Sequence, residues 1–137
     1  MKVITKSPAE TKRLAIKLAG KIKSGRVVAL VGDLGAGKTT FVQGLARALG
    51  IKQRIISPTF IIARRYNFKN NYFYHVDLYR TKDADEISGL GLEEMWENKK
   101  NIVVIEWPEE ILSKLPAPII IKINNLGGNK REYDFGY

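Results

Sequence analysis

The feature that most constrains this chain is a glycine-rich octapeptide that joins an apolar run to an amphipathic segment. The run Arg26–Val31 is typical of a strand buried on both faces. After the octapeptide, apolar residues recur at helical spacing at Phe41, Val42, Leu45, Ala46 and Leu49. The octapeptide fits G-x-x-x-x-G-K-[ST], with Gly32, Asp33, Leu34, Gly35, Ala36, Gly37, Lys38 and Thr39. Strand, loop and helix is the order in which this pattern binds phosphate.

The residue types of the loop predict how it would hold a nucleotide. Gly35 and Gly37 lack a Cβ, so successive backbone N–H groups can converge on phosphate oxygens. The helix that follows adds the positive end of its dipole. Lys38 is then expected to reach the β- and γ-phosphates, and the Thr39 hydroxyl to complete the coordination of Mg²⁺.

Two carboxylates are candidates for the metal side of such a site. Asp77 and Glu106 each end a run of strand-forming residues, where an acid can hold Mg²⁺ or orient water. The sequence favours Glu106, because Tyr72, Tyr74 and His75 make the other strand look less buried. His75 itself is interpreted as packed on a strand or hydrogen-bonded to a turn rather than as a catalytic base.

The remaining pattern predicts an α/β fold of one domain over residues 1–137. Ser7-Pro8-Ala9-Glu10 has the form of a capping box and begins a helix that runs to about Lys23. The other predicted elements are a hairpin of residues 61–68 and 71–78, a helix over residues 86–98 split by Gly89 and Gly91, a buried strand Ile102–Ile105, and edge strands at residues 119–123 and 131–135.

Composition excludes several kinds of chemistry. The chain has 137 residues, no cysteine and one histidine, which rules out disulfides, thiolate zinc sites, cysteine nucleophiles and His-rich metal centres. The apolar runs are far shorter than the ~20 residues that span a bilayer, so we expect a cytoplasmic protein without membrane contact.

The net charge of +9 is unevenly distributed. Residues 1–76 carry 15 basic and 2 acidic side chains, whereas residues 77–137 carry 8 and 12. A basic half attracts phosphates, nucleic acid or an acidic protein, and a solvated lysine-rich surface has the same composition.

Four motifs together resemble the TsaE family, also called YjeE. They are Gly32–Phe41, Ser57-Pro58-Thr59-Phe60, His75-Val76-Asp77-Leu78-Tyr79-Arg80 and Glu106-Trp107-Pro108-Glu109. The resemblance implies a small bacterial P-loop ATPase needed to form threonylcarbamoyladenosine in tRNA. It also implies the P-loop NTPase fold, with a mostly parallel central sheet, flanking helices and an antiparallel hairpin.

The resemblance implies a role for individual residues. Asp77 matches the Walker B acid, Glu106 the glutamate implicated in magnesium binding and hydrolysis, Thr59 a switch-like loop, and Thr11 a position near the nucleotide base. Trp107 is interpreted as a packing residue. The expected ATP-binding residues are Thr11, Asp33, Leu34, Gly35, Ala36, Gly37, Lys38, Thr39, Thr40 and Thr59. The expected catalytic residues are Glu106, Asp77 and Lys38, and the expected metal ligands are Thr39, Glu106 and Asp77.

The implied cofactors are ATP and Mg²⁺, and the implied partner is the TsaB–TsaD heterodimer. In this implied role the heterodimer transfers the threonylcarbamoyl group to tRNA, and the ATPase allows repeated turnover. The ATPase contacts tRNA indirectly through the complex, and direct contact with tRNA is left open. We expect slow hydrolysis alone and faster hydrolysis with partners, because an arginine supplied at the site is worth ~10³–10⁵ in rate. The candidates are Arg80, Arg64, Arg65 or a partner's arginine.

Two alternatives remain beside the ATPase. A small-molecule kinase would use the same loop, but little sequence is left for an acceptor pocket and lid. A GTP-dependent switch would need an [NT]-K-x-D segment, which is absent. A screen of phosphate acceptors tests the first, and a comparison of ATP with GTP binding tests the second.

Overall fold

The computed structural model describes residues 1–22, 26–32, 37–58, 62–79 and 83–135. The elements in chain order are β1 Lys2–Thr5, α1 Pro8–Ala19, β2 Val27–Gly32, α2 Lys38–Ala48, β3 Ala63–Phe68, β4 Asn71–Asp77, α3 Ala84–Ser88, α4 Leu92–Glu97, β5 Ile102–Glu106, a 3-10 helix Glu109–Lys114, β6 Ile119–Gly127 and β7 Lys130–Asp134. This mixture confirms the predicted α/β class. None of the helices in these ranges is long and apolar enough to span a bilayer.

The seven strands form one sheet in the order β1-β7-β6-β2-β5-β4-β3. The inner pairs β6/β2, β2/β5 and β5/β4 are parallel, whereas β1/β7, β7/β6 and β4/β3 are antiparallel. The sheet is therefore mixed, and the expectation of a mostly parallel sheet is wrong. The physical reason is connection length, because a parallel pair needs a crossover of a dozen or more residues and β3–β4 and β6–β7 are joined by tight turns.

The edges of the sheet also differ from the prediction. β6 pairs with β2 inside the sheet and β7 lies between β6 and β1, so the expectation that residues 119–123 and 131–135 form edge strands is wrong. The true edges are β3 and the short strand β1, which pairs with β7 and has no counterpart in the sequence prediction. β1 has only four residues, too few to give a clear alternation of apolar and polar side chains.

The predicted hairpin is confirmed, and its turn explains the register. Lys69 and Asn70 both have positive φ, 46° and 66°, as the two central residues of a type I′ turn require. That turn places β3 antiparallel to β4 with Arg64 opposite His75. The two-piece helix is also confirmed, since α3 is capped by Gly89 and α4 begins after Gly91 at φ 71°.

Helices α1 and α2 begin and end on sequence signals. The Ser7 hydroxyl accepts a hydrogen bond from the Glu10 N–H at 3.1 Å, as the capping box predicts. α1 ends at Ala19, earlier than expected, and residue 23 lies outside the described ranges. α2 ends in a Schellman motif around Gly50, whose φ is 89°. There the Gly50 N–H donates to Arg47 O at 3.0 Å and the Ile51 N–H to Ala46 O at 3.0 Å.

Two apolar cores cover the two faces of the sheet. Helices α1 and α2 pack on the face that carries Val28, Leu30 and Val104. The other face carries Val103 and Ile105 and is covered by α3, α4 and the 3-10 helix. β2 and β5 are buried on both faces, which explains why their sequences are continuous apolar runs. A side chain at the carboxyl end of a parallel strand therefore faces either the layer of α1 and α2 or the layer of α3, α4 and the 3-10 helix.

Candidate functional site

The carboxyl ends of β2, β4 and β5 meet where helix α2 begins. Gly32 ends β2, and Gly37 and Lys38 open α2. The loop residues Asp33, Leu34, Gly35 and Ala36 were predicted to bind ATP and lie outside the described ranges, as do Thr59 and Arg80. Their roles stay predictions, and the site is built below from the residues on either side.

Two glycines border the loop for different physical reasons. A Cβ on Gly32 would lie 2.4 Å from the Ile123 carbonyl oxygen of the neighbouring strand, which only a residue without a side chain avoids. Gly37 is the N-cap of α2 and has φ 90°, a left-handed conformation that favours glycine. A Cβ there would meet Arg131 Nε at 3.5 Å, an ordinary contact. The backbone conformation therefore requires glycine at position 37, and close packing of the strands requires it at position 32.

Lys38 lies inside the site rather than in solvent. Its side chain is 5% exposed, and Nζ donates a hydrogen bond to the Gly32 carbonyl at 2.6 Å. The same ammonium lies 3.8 Å from the centroid of the Trp107 ring, a favourable cation–π distance. The lysine is thus held across the loop opening at the end of β2, where the motif predicts contact with phosphate.

Asp77 and Glu106 are neighbours across two parallel strands. They occupy the same register position of β4 and β5, and adjacent strands lie about 4.8 Å apart. Asp77 is 4% exposed and Glu106 is 3% exposed. Asp77 Oδ1 accepts a hydrogen bond from the Tyr79 N–H at 2.9 Å. β4 as a whole is less buried than β5, as the sequence predicts, since Tyr72 and Tyr74 are half-buried. The two acids themselves are equally buried, so burial does not favour either of them.

His75 is the polar partner of Glu106. Its ring is fully buried, and Nε2 is hydrogen-bonded to Glu106 Oε2. Since a carboxylate can only accept, we assign the proton to Nε2. Nδ1 is buried and has no hydrogen-bond partner among the residues that the structure describes. The interpretation of His75 as a packed strand residue is right about burial. That interpretation did not include the contact with Glu106. The two-residue spacing of His75 and Asp77 was an available signal, because it places both side chains on one face of the strand.

The donors of this site match what Mg²⁺ takes in nucleotide sites. Magnesium is held there by one or two carboxylates, waters and substrate phosphates rather than by an all-protein cage. The two carboxylates of β4 and β5 lie on the sheet face covered by α2, and the first turn of that helix carries the half-buried Thr39 and Thr40. Within the described ranges no set of three His, Asp or Glu side chains is placed to hold a metal by itself.

Thr11 is buried in a network of hydroxyl groups. Its Oγ1 lies 2.8 Å from Thr5 Oγ1 and accepts a hydrogen bond from Tyr133 OH at 3.1 Å. The Tyr133 ring stacks on Phe41 of α2 with centroids 5.4 Å apart. Burial raises the pKa of Tyr133 above its usual value of 10.0. Thr11 is thus committed to an internal contact, and its approach to a nucleotide base stays a prediction.

Trp107 packs against the core and also contacts the site. It is half-buried beside the core of the second sheet face, and its ring meets Tyr79 edge to face with centroids 4.9 Å apart. Its φ of 57° is unusual for a residue with a large side chain. The packing interpretation is confirmed, and the contact with Lys38 is an addition that no sequence pattern signals.

The strand register separates the two candidate catalytic arginines that lie in the described ranges. Arg64 lies opposite His75 in the β3/β4 pair and shares its face, because side chains of directly paired residues point the same way. Arg65 is on the other face and stacks on Tyr72, with Cζ 4.3 Å from the ring centroid. Of these two candidates, Arg64 is therefore on the side of the carboxylates.

The fold and the site define an α/β protein with a buried lysine and two buried carboxylates at the carboxyl edge of parallel strands. Residues 5–133 match the family described as threonylcarbamoyl adenosine biosynthesis protein TsaE. The chain therefore belongs to the TsaE family, and the resemblance found in the sequence is confirmed.

Individual relatives agree with this assignment. The protein named tRNA threonylcarbamoyladenosine biosynthesis protein TsaE from Bacillus subtilis (strain 168) is 42% identical over 132 residues, which are 96% of this chain and 82% of the relative. The protein of the same name from Rickettsia conorii is 43% identical over 127 residues, 91% of this chain and 71% of the relative. The crystal structure of Bacillus subtilis YdiB is 39% identical, with a TM-score of 0.78 over 97% of this chain and 82% of that chain.

Proposed function

We propose that this protein binds and hydrolyses ATP with Mg²⁺ as a subunit of the machinery that makes threonylcarbamoyladenosine in tRNA. In this proposal its fold is that of the P-loop NTPases and its location is the cytoplasm. It acts with the TsaB–TsaD heterodimer to allow repeated turnover and does not itself transfer the threonylcarbamoyl group. One observation carries the proposal: the buried Lys38 and the paired carboxylates Asp77 and Glu106 share one edge of the sheet.

Binding begins with the cation and the helix end. The ammonium of Lys38 now donates to the Gly32 carbonyl, and we expect it to exchange that neutral acceptor for β- and γ-phosphate oxygens. A charged acceptor roughly doubles the strength of such a hydrogen bond. The N–H groups of the first turn of α2 add partial positive charge at the same point.

Three residues of the site are the proposed magnesium ligands. Thr39, Asp77 and Glu106 would hold Mg²⁺ directly or through its waters. When bound, the ion neutralises charge that develops on the phosphate oxygens. Two carboxylates buried side by side are costly unless they are paired, and a cation held by these residues would offset that cost.

Hydrolysis further needs a water aligned with the γ-phosphorus. In the proposal Glu106 orients this water, and His75 holds the carboxylate in place through its Nε2–H. Arg64 lies on the same sheet face and is the better placed of the two described candidates for stabilising the transition-state charge; Arg80 stays a candidate beside it. Positioning and electrostatic stabilisation provide most of the catalysis in phosphoryl transfer.

A direct test compares ATP hydrolysis by the protein alone and with TsaB–TsaD and tRNA. We expect stimulation in the wild type and loss of hydrolysis in Lys38→Ala and Glu106→Ala. Matched controls are Lys99→Ala and Glu97→Ala, which change exposed residues of the same types outside the site. Wild-type hydrolysis in Lys38→Ala, or GTP binding as tight as ATP binding, would contradict the proposal.

A further inference from the structure

A second concave surface lies at the far end of helix α2. It is a cleft of about 660 Å³ lined by Lys12 of α1, Gln43 and Arg47 of α2, and residues 50–55. Arg47 is nine residues beyond Lys38, so it lies about 14 Å further along the helix axis at 1.5 Å per residue. This cleft is therefore separate from the proposed nucleotide site.

The charge of the cleft is of one sign. Among the described residues its lining has no carboxylate and includes four cations, namely Lys12, Arg47, Lys52 and Arg54. All four are exposed, and in the parts of the chain that the structure describes none of them has an ion-pair partner. An arginine near the C-terminus of α2 is favoured by the helix dipole, which accounts for one cation of the four. A concave surface lined by charges of one sign concentrates its field and attracts a polyanion.

The cleft is held in shape by hydrogen bonds between side chains and the backbone and by two buried isoleucines. Gln43 Nε2 donates to the Ile55 carbonyl at 3.2 Å, and the Asn67 N–H donates to Gln53 Oε1 at 2.9 Å. Ile51 and Ile55 are buried and anchor the segment between them. These contacts fix the backbone that carries Lys52 and Arg54, so a ligand does not have to order it.

A glycine allows the two helices of the cleft to approach. A Cβ on Gly44 would lie 2.9 Å from Lys12 Cα and 3.1 Å from Ala15 Cβ. Only glycine therefore fits at position 44 without moving α1. This close packing brings Lys12 next to the cations that α2 and its following loop provide.

We propose that this cleft binds the sugar–phosphate backbone of tRNA directly. A protein partner needs apolar or aromatic anchors at the centre of its interface, and the described residues that line the cleft provide none, because their two isoleucines are already buried. Phosphate contacts need only cations and N–H donors, and without aromatic side chains to stack on bases they read the backbone and not the sequence. The choice of tRNA rests on the family assignment and not on ATP hydrolysis, so either proposal can fail alone.

The test measures binding of a labelled, unmodified tRNA transcript to the full chain by fluorescence anisotropy, at about 50 and 200 mM monovalent salt. In Arg47→Gln/Arg54→Gln we expect binding to weaken about tenfold at the lower salt. The slope of the logarithm of the association constant against log salt is negative, and its magnitude should decrease by about 2. The control Lys99→Gln/Lys100→Gln removes the same net charge from exposed positions outside the cleft and is expected to bind as the wild type does. Unfolding temperature and ATP binding should match the wild type in both double variants.

Four results would each overturn the proposal. The first is wild-type protein that does not bind the transcript at the lower salt. The second is a cleft variant with the wild-type salt slope, or a control that loses as much as the cleft variant. The third is displacement of the transcript by polyglutamate at equal total charge, which would indicate an acidic protein as the partner. The fourth is a cleft variant that keeps tRNA binding but loses a concentration-dependent self-association, which would indicate a second copy of the chain.

Discussion

Replacing His75 by leucine tests whether the buried imidazole positions Glu106. The substitution places an apolar side chain in a position with no solvent access and removes the Nε2–H that donates to the carboxylate. A buried hydrogen bond to a charged group contributes about 1.5–3 kcal/mol. We therefore expect the unfolding temperature to fall by roughly 5–12 °C for a chain of this size.

The effect on hydrolysis follows from geometry. With one hydrogen bond lost, the Glu106 carboxylate is free to rotate, and loss of a partner that orients a catalytic ligand typically costs ~10–100-fold in activity. Because Lys38 and the loop are unchanged, KM for ATP should stay within about threefold while kcat falls. His75→Gln keeps an amide N–H at a similar reach and should recover part of the lost kcat.

The assay is steady-state ATP hydrolysis with TsaB–TsaD and tRNA, at a temperature where circular dichroism shows every variant to be folded. A leucine variant whose kcat is within about twofold of the wild type would refute the positioning role. A rise in KM with unchanged kcat would also refute it, since that pattern reports weaker ground-state binding. Unfolding temperature alone does not decide, because any buried polar change lowers it.

Three further predictions concern other parts of the fold. Arg64→Lys should lower partner-stimulated hydrolysis at least about tenfold, whereas Arg65→Lys on the opposite sheet face should leave it unchanged; equal effects would contradict the register argument. Gly44→Ala should lower the free energy of unfolding by about 1–3 kcal/mol, while Gly20→Ala, with only ordinary contacts, should not, as urea unfolding would measure. Burial raises the pKa of Tyr133. The contribution of the Tyr133 side chain to stability is therefore present below about pH 10 and lost as the pH rises further. Between about pH 9.5 and 11, the unfolding temperature of Tyr133→Phe should fall less steeply than that of the wild type.

The sequence by itself predicted most of the local elements and named Lys38, Asp77 and Glu106, which the structure brings to one edge of the sheet. The β2 run, the octapeptide and the spacing of α2 are all read from short-range patterns, because strand burial, loop conformation and helix amphipathicity depend on neighbouring residues. The Ser7 capping box and the Gly50 helix end are local signals of the same kind. The family assignment followed from four motifs in one order.

Only the tertiary structure decided which strands are neighbours and what the polar side chains contact. The mixed sheet depends on where β1, β6 and β7 add, and a four-residue strand such as β1 carries too little pattern to reveal its partner. His75 and Glu106 are 31 residues apart in the chain, and their contact exists because β4 and β5 pair in one register. The position of Lys38 over Trp107 and the cluster of cations at the far end of α2 have the same origin, since both join residues from separate elements through packing and register.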